Sequence, residues 1–391
     1  MGLLVLVEIV PRFVSIPGLR DVDLKSLAGT RLADAPTVGH PYLAYTLRPD
    51  WSSKPDDFMG RKSHNSQGFR GREVALKKPE GVFRIVTVGG SSTYGNTPTS
   101  DAMTWPARLE WHLNERQTRP VEVLNAGVVG WNLFESLINL EFRVLDYDPD
   151  LVVVYHTIND ARCALWTGGG EIQRDNSHWR AIWPTHSGSP VDPYLERSMT
   201  FLIWRRYFTP WYRARNELGF YGIVGYDPMN PDPYERGDPS LTGFESFERN
   251  LILLQAVVKA RGAQVMLVTQ GCDRDDIQAK SRVNQFRAMD YMGGIIKSVA
   301  GQHELLLCDA RPVLEAAWAA TPEELRGTSD GAIKKLMNDK SSEENRKRGR
   351  EQWARLHAEG IFTGEVHLTD RGADLLATTI ADAIMAADLL P

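Results

Sequence analysis

Cysteine is scarce in this 391-residue chain, and the three present, Cys163, Cys272 and Cys308, do not suggest a disulfide framework. None stands at Cys-x-x-Cys spacing, so no metal site of that kind is written into the sequence, and no other metal is expected. Cys308 lies in the apolar run His303–Ala310 and reads as core. Basic excess is missing too: 45 Lys and Arg against 50 Asp and Glu give a net charge of −5, which supplies no broad pull toward nucleic acid. The apolar stretch at the N-terminus, Leu3–Val10, falls well short of the roughly twenty residues that cross a bilayer, and Glu8 interrupts it. It also lacks the basic start of a secretory signal. Two readings stay open for it. It is either the end of a truncated membrane anchor, which would place the protein outside the cytoplasm, or a packing segment of a soluble, cytoplasmic chain. No internal repeat is evident.

What the chain does contain is an alternation of short apolar runs with helical patterns. Ile85, Val86 and Val88 form a buried-strand run that Gly89 and Gly90 break into a tight turn. Val121–Asn132 is a second strand running into a glycine-bearing turn. Leu151–Asp160 begins with the continuous apolar run of a strand buried on both faces. Ala263–Gly271 and His303–Ala310 supply two more. Helical spacing is expected over Thr104–Arg116, Leu133–Tyr147, Glu245–Gly262, Val283–Val299 and Asp370–Leu389, the last capped by Thr369 or Asp370. Strands alternating with helices imply a parallel sheet covered on both faces.

Three features of this alternation bear chemistry. Ser91 follows the Gly89-Gly90 turn at a strand's carboxyl end, where open α/β sheets place their ligands. Asn159 closes the third strand beside Asp160, which reads as a helix cap. His367 precedes the final helix. A serine hydroxyl needs a neighbouring base to become a nucleophile, and histidine is suited by its near-neutral pKa. In this order the segments Phe83–Gly95, Val121–Asn132, Leu151–Asp160 and Glu365–Ala377 resemble the four blocks of the SGNH (GDSL-type) hydrolases, over roughly residue 80 to the end. The resemblance implies a three-layer α/β/α sandwich with a flavodoxin-like parallel sheet and no cofactor. It also implies an ester-hydrolysing serine enzyme in which Ser91 attacks and His367 serves as base. The N–H groups of Ser91 and Gly130 and the amide of Asn159 would form the oxyanion hole. The substrates it points to are O-acyl esters, often acetyl, on carbohydrates or lipids. An O-acyltransferase using the same site and a non-catalytic scaffold are the alternatives.

The chain departs from the family pattern at three places. Gly90 stands where the first block usually carries aspartate. Thr157 replaces a frequent glycine. Gly364 occupies the position three before the histidine, where the family has the acid that orients the imidazole. Glu365 stands one residue closer and is the candidate acid; a backbone carbonyl holding the ring is the alternative. Nearby, His156 reads as a satisfied strand histidine, and Asp273, Asp275 and Asp276 as a polar turn.

Residues 1–80 form an N-terminal extension before a hydrolase-like domain over 81–391. Asn65-x-x-Gly68-Phe69-Arg70-Gly71 is similar to a segment preceding the nucleophile strand in one bacterial branch of the family, and suggests a hairpin or arm packed on the core. Arg70 is expected in a structural ion pair. Two insertions interrupt the domain. The first, about 161–241, carries Trp166, Trp179, Trp183, Trp204 and Trp211 among many arginines. It reads as a lid, with Trp204, Trp211 and the earlier Trp131 as candidate substrate contacts, as an interfacial helix on a membrane surface, or as plain packing of a subdomain. The second, about 321–356, alternates charges of both signs and reads as a solvated helix or flexible excursion. Oligomeric state leaves no trace in the sequence.

Overall fold

The computed structural model describes residues 36–40, 43, 45–53, 60–165, 172–176, 198, 200, 240–274, 283–326, 330–339 and 341–390. The five-stranded parallel sheet consists of β3 (Phe83–Gly89), β4 (Val121–Asn125), β5 (Leu151–Tyr155), β6 (Gln264–Val268) and β7 (Leu306–Cys308). A two-residue antiparallel pair, β1 (Thr37–Val38) and β2 (Thr46–Leu47), precedes them. The sheet order is β4-β3-β5-β6-β7. This is the flavodoxin-like winding, in which the chain starts in the sheet, steps one way and then returns past its first strand to grow the other way.

Period-two alternation divides each strand between two cores. Val86, Val88, Leu124, Val152, Val154, Val265 and Leu267 face one side. There they meet α3 (Leu133–Asn139), α4 (Ile158–Leu165), α5 (Leu241–Ala260) and α6 (Val283–Gln302). Ile85, Val123, Leu151, Val153, Met266 and Val268 face the other. That side is covered by α2 (Trp105–Arg116), α7 (Ala310–Ala319) and α11 (Asp370–Ala386). Three layers result, because a sheet apolar on both faces must be covered on both.

The structure corrects two expectations here. The helix expected over Leu133–Tyr147 is regular only to Asn139. A π turn (Leu140–Val144) and a 3₁₀ turn (Leu145–Tyr147) follow, and Asp148 ends the run at φ 51°. The charged second insertion is not an excursion from the core. It folds into α8 (Glu323–Arg326), α9 (Asp330–Met337) and α10 (Glu343–Glu359), which sink Leu325, Ile333, Trp353 and Leu356 into the second core. A few apolar residues at helical spacing suffice to dock a helix, while its outer face carries pairs such as Lys347–Glu351. Among the described residues no helix is long and apolar enough to cross a membrane. Trp166, Trp179, Trp183, Trp204 and Trp211 lie outside the described residues, as do the start of the chain and Asp275 and Asp276.

Candidate active site

The sheet order puts the carboxyl ends of β3 and β5 side by side at the point where the winding reverses, and Gly89 of β3 pairs with Tyr155 of β5. Crevices at such points are where doubly wound sheets bind their ligands. Ser91 opens α1 (Ser91–Tyr94) directly after β3, and Asn159 lies in the first turn of α4 directly after β5. The glycine that ends β3, Gly89, and Gly90 after it are there for space. A Cβ on Gly89 would fall 1.9 Å from Thr93 Oγ1 and 2.6 Å from the Tyr155 carbonyl. On Gly90 it would fall 2.7 Å from Asn159 Nδ2 and 3.1 Å from the Trp131 carbonyl.

His367 arrives from the far end of the chain. Its Nε2 lies 2.9 Å from Ser91 Oγ across 276 positions of sequence, within hydrogen-bond reach. Ser91 is buried and His367 partly exposed. Three flanking bonds fix this approach. Ser92 Oγ donates to the Val366 carbonyl (3.0 Å) and Thr97 Oγ1 to the Leu368 carbonyl (2.7 Å), while Thr99 N–H donates to Asp370 (2.8 Å). Thr369 caps α11, accepting from Gly372 N–H. The histidine sits on a narrow hairpin, in which Phe362 bridges Leu368 and Thr363 N–H donates to the His367 carbonyl. Gly364 is at its tip with φ +129°, a conformation side chains disfavour, so the turn itself accounts for a glycine at this position. Glu365 is buried, and its Oε2 pairs with Arg162 Nη2 at 2.5 Å. Arg162 stands one turn beyond Asn159 on α4, so the candidate acid is tied to the helix bearing the candidate oxyanion donor.

Gly130, at φ +81°, needs the freedom of glycine to turn the chain toward α3. Asn159 Nδ2 donates one hydrogen to the Trp131 carbonyl at 2.7 Å, which orients the amide and leaves it a second hydrogen to donate. Trp131 itself differs from expectation. Its ring is 1 % exposed and tilts against Tyr45, so it belongs to the core, and only its carbonyl reaches the site. A small depression opens beside the serine–histidine pair, walled by Gly95, Thr97, Pro98, Trp105, Leu368 and Ala373.

Asp160 also departs from its expected role as a cap of its own helix. It is the third residue of α4, and its carboxyl instead accepts from Leu133 N–H, 2.9 Å away at the start of α3. Beside it, His156 Nδ1 lies 3.6 Å from Asp160 Oδ2, and His156 Nε2 is 2.8 Å from Ser136 Oγ, so the histidine is satisfied as expected. The separation suggests an ion pair, but burial dominates: it raises Asp160 to about 8 and lowers His156 to about 3, which leaves both uncharged at neutral pH. A carboxyl raised in this way contributes stability that is complete below its unfolded value near 3.8 and is lost as pH rises through about 8. Asp160→Asn should therefore remove this loss. Its melting temperature should match the native protein's near pH 4, gain on it as pH rises from 4 to 8, and hold that gain above pH 8.

Several residues that organise the site gave no sequence signal, because their partners are remote. Gln270 links Ile158 N–H (2.9 Å) to Ser92 Oγ (3.3 Å). Asp273, expected in a polar turn, is buried. Its N–H donates to the Glu365 carbonyl at 2.7 Å, and its carboxylate accepts from Trp318 Nε1 at 2.7 Å. Among the described residues no cluster of His, Cys, Asp and Glu is placed to hold a metal ion.

No protein-family profile and no curated protein matches the chain. Solved structures are similar to it at a distance. A lipase/acylhydrolase from Enterococcus faecalis is 14 % identical, with 78 % of this chain and 96 % of that one covered at a TM-score of 0.40. An acetylxylan esterase from Geobacillus stearothermophilus is 16 % identical, with 77 % and 94 % covered at a TM-score of 0.38. An α/β hydrolase from the metagenome of Lake Arreo, Spain, is 15 % identical, with 79 % and 96 % covered at a TM-score of 0.38.

Proposed function

We propose that this protein is a serine esterase that cleaves small O-acyl esters through an acyl-enzyme on Ser91. The observation that carries the reading is the 2.9 Å contact between Ser91 Oγ and His367 Nε2 at the reversal point of the sheet. In the first half-reaction His367 Nε2 takes the hydroxyl proton as Ser91 Oγ bonds to the ester carbon, and the carbonyl oxygen becomes an oxyanion. The N–H groups of Ser91 and Gly130 and the free hydrogen of Asn159 Nδ2 receive that charge. As the first residue of a helix, Ser91 has no intrahelical acceptor for its N–H. The tetrahedral centre then collapses, the C–O bond to the alcohol breaks, and His367 returns the proton to the leaving oxygen. Water repeats the sequence and releases the acid. Glu365, fixed by Arg162 on the histidine hairpin, is assigned to support the positive imidazolium.

The substrate class follows from the resemblance, which points to a short acyl group such as acetyl on a sugar or lipid hydroxyl. Treatment with a fluorophosphonate tests the mechanism directly. Ser91 Oγ would bond to phosphorus, fluoride would leave, and the proton would pass to His367. A single adduct mapped to Ser91 is expected. An unlabelled protein, beside a labelled control hydrolase, would sink the reading.

A further inference from the structure

The described part of the N-terminal arm reaches the candidate site from behind at two separate places. Tyr45, buried beside β2, donates its hydroxyl to the Val129 carbonyl at 2.6 Å, one residue before Gly130. His64 and Arg70 converge on Tyr94, the last residue of the helix that Ser91 begins. His64 Nδ1 faces the Arg48 carbonyl at 2.9 Å and so carries the proton, which leaves Nε2 to accept from Tyr94 O–H at 2.9 Å. Arg70 Nη1 donates to the same hydroxyl oxygen at 3.3 Å, and the guanidinium lies 4.7 Å over the Tyr94 ring. Arg70 is in turn held by Asp101 at 2.9 Å, the structural ion pair expected of it, and Ser63 N–H donates to the same carboxylate. Its backbone N–H donates to the Asn125 carbonyl at the end of β4.

The elements gripped are ones that cannot hold themselves. The nucleophile helix is a single turn, and a lone turn is unstable without outside contacts. The turn from Ala126 to Trp131 is held by few backbone bonds, from Ala126 N–H to the Thr87 carbonyl, Val128 N–H to the Gly89 carbonyl and Trp131 N–H to the Val128 carbonyl. A shift of either by a fraction of an ångström would move an oxyanion donor out of line with the serine.

We propose that the arm is a working part of the catalytic centre, with Tyr45, His64 and Arg70 acting as positioning residues for Gly130 and Ser91. The proposal rests on the esterase reading above. Tyr45→Phe deletes one hydroxyl from the arm, and Tyr94→Phe deletes the group that His64 and Arg70 grip. Each variant, in the full chain, is expected to slow fluorophosphonate labelling of Ser91 about tenfold per folded molecule, with folding followed by near-ultraviolet circular dichroism. On p-nitrophenyl acetate, kcat should fall by a similar factor while KM stays within twofold. A merely structural role would lower the melting temperature without changing the rate per folded molecule, so native labelling rates in both variants overturn the proposal. Should Tyr45→Phe fail to fold, Tyr94→Phe decides alone. Absence of labelling on the native protein would instead overturn the esterase reading, and the arm's part in it as well.

Discussion

His367→Ala is expected to lower kcat for a short-chain ester by about 10⁵-fold or more while leaving the fold intact. In serine hydrolases whose residues act as a unit, loss of the base alone removes nearly all of the advantage of the set. The reason here is geometric. The imidazole meets Ser91 Oγ at 2.9 Å, and no other titratable side chain has a hydrogen bond to that hydroxyl among the described residues. The fold should survive because the histidine hairpin does not depend on the ring. Its strands are held by Phe362 bridging Leu368 and by the Thr363 N–H bond to the His367 carbonyl, and Ser92 and Thr97 grip the neighbouring carbonyls. The check is a kinetic comparison with thermal melts on the same preparations. A residual rate within tenfold of native would show that His367 is not the base.

The elements that place this pair were readable because the sequence states them locally. An apolar run before Gly89-Gly90 announces a strand with an exposed end, and the alternation of such runs with helical patterns implies the parallel sheet. Strand order is a different matter. That β3 lies between β4 and β5 came only with the resemblance to a flavodoxin-like winding, since nothing in β3 itself names its neighbours. The bracing of the site was illegible for the same reason. Ser92 meets Val366 across 274 positions and Gln270 meets Ser92 across 178, distances over which spacing carries no information.

Other misreadings have distinct physical causes. Trp131 follows a glycine in a loop, a setting that suggests a surface contact, yet the turn at Gly130 directs its ring inward against Tyr45. Composition also misled over the second insertion. Alternating charges predict solvation, and they do line the outside of α10, but Trp353 and Leu356 lie on the opposite face and bury it. Asp160 looked like a cap for the helix it begins. Helix starts leave N–H groups to be met by any nearby acceptor, and tertiary packing brought that of Leu133 closer.

The departure at Gly90 yields the second large effect. Gly90→Ala should reduce kcat by about 10²–10³-fold, the range for loss of one oxyanion donor, with little change in melting temperature. An added methyl would sit 2.7 Å from Asn159 Nδ2 and 3.1 Å from the Trp131 carbonyl, the donor and acceptor of the bond that holds the amide in place. The nearer of these is the end of a side chain, so the clash is relieved by turning the amide away rather than by moving the backbone. Stability is then spared and the oxyanion donor is lost. Because both substitutions would disable the same group, Gly90→Ala combined with Asn159→Ala should be no slower than Asn159→Ala alone. Full additivity of the two losses would show that the methyl acts elsewhere, and near-native activity of Gly90→Ala would remove Asn159 from the reaction or show that the amide has room to spare. On this argument the missing aspartate is not a sign of a lost site. A side chain at position 90 is disfavoured because the space it would need is filled by the Asn159 amide, the proposed oxyanion donor.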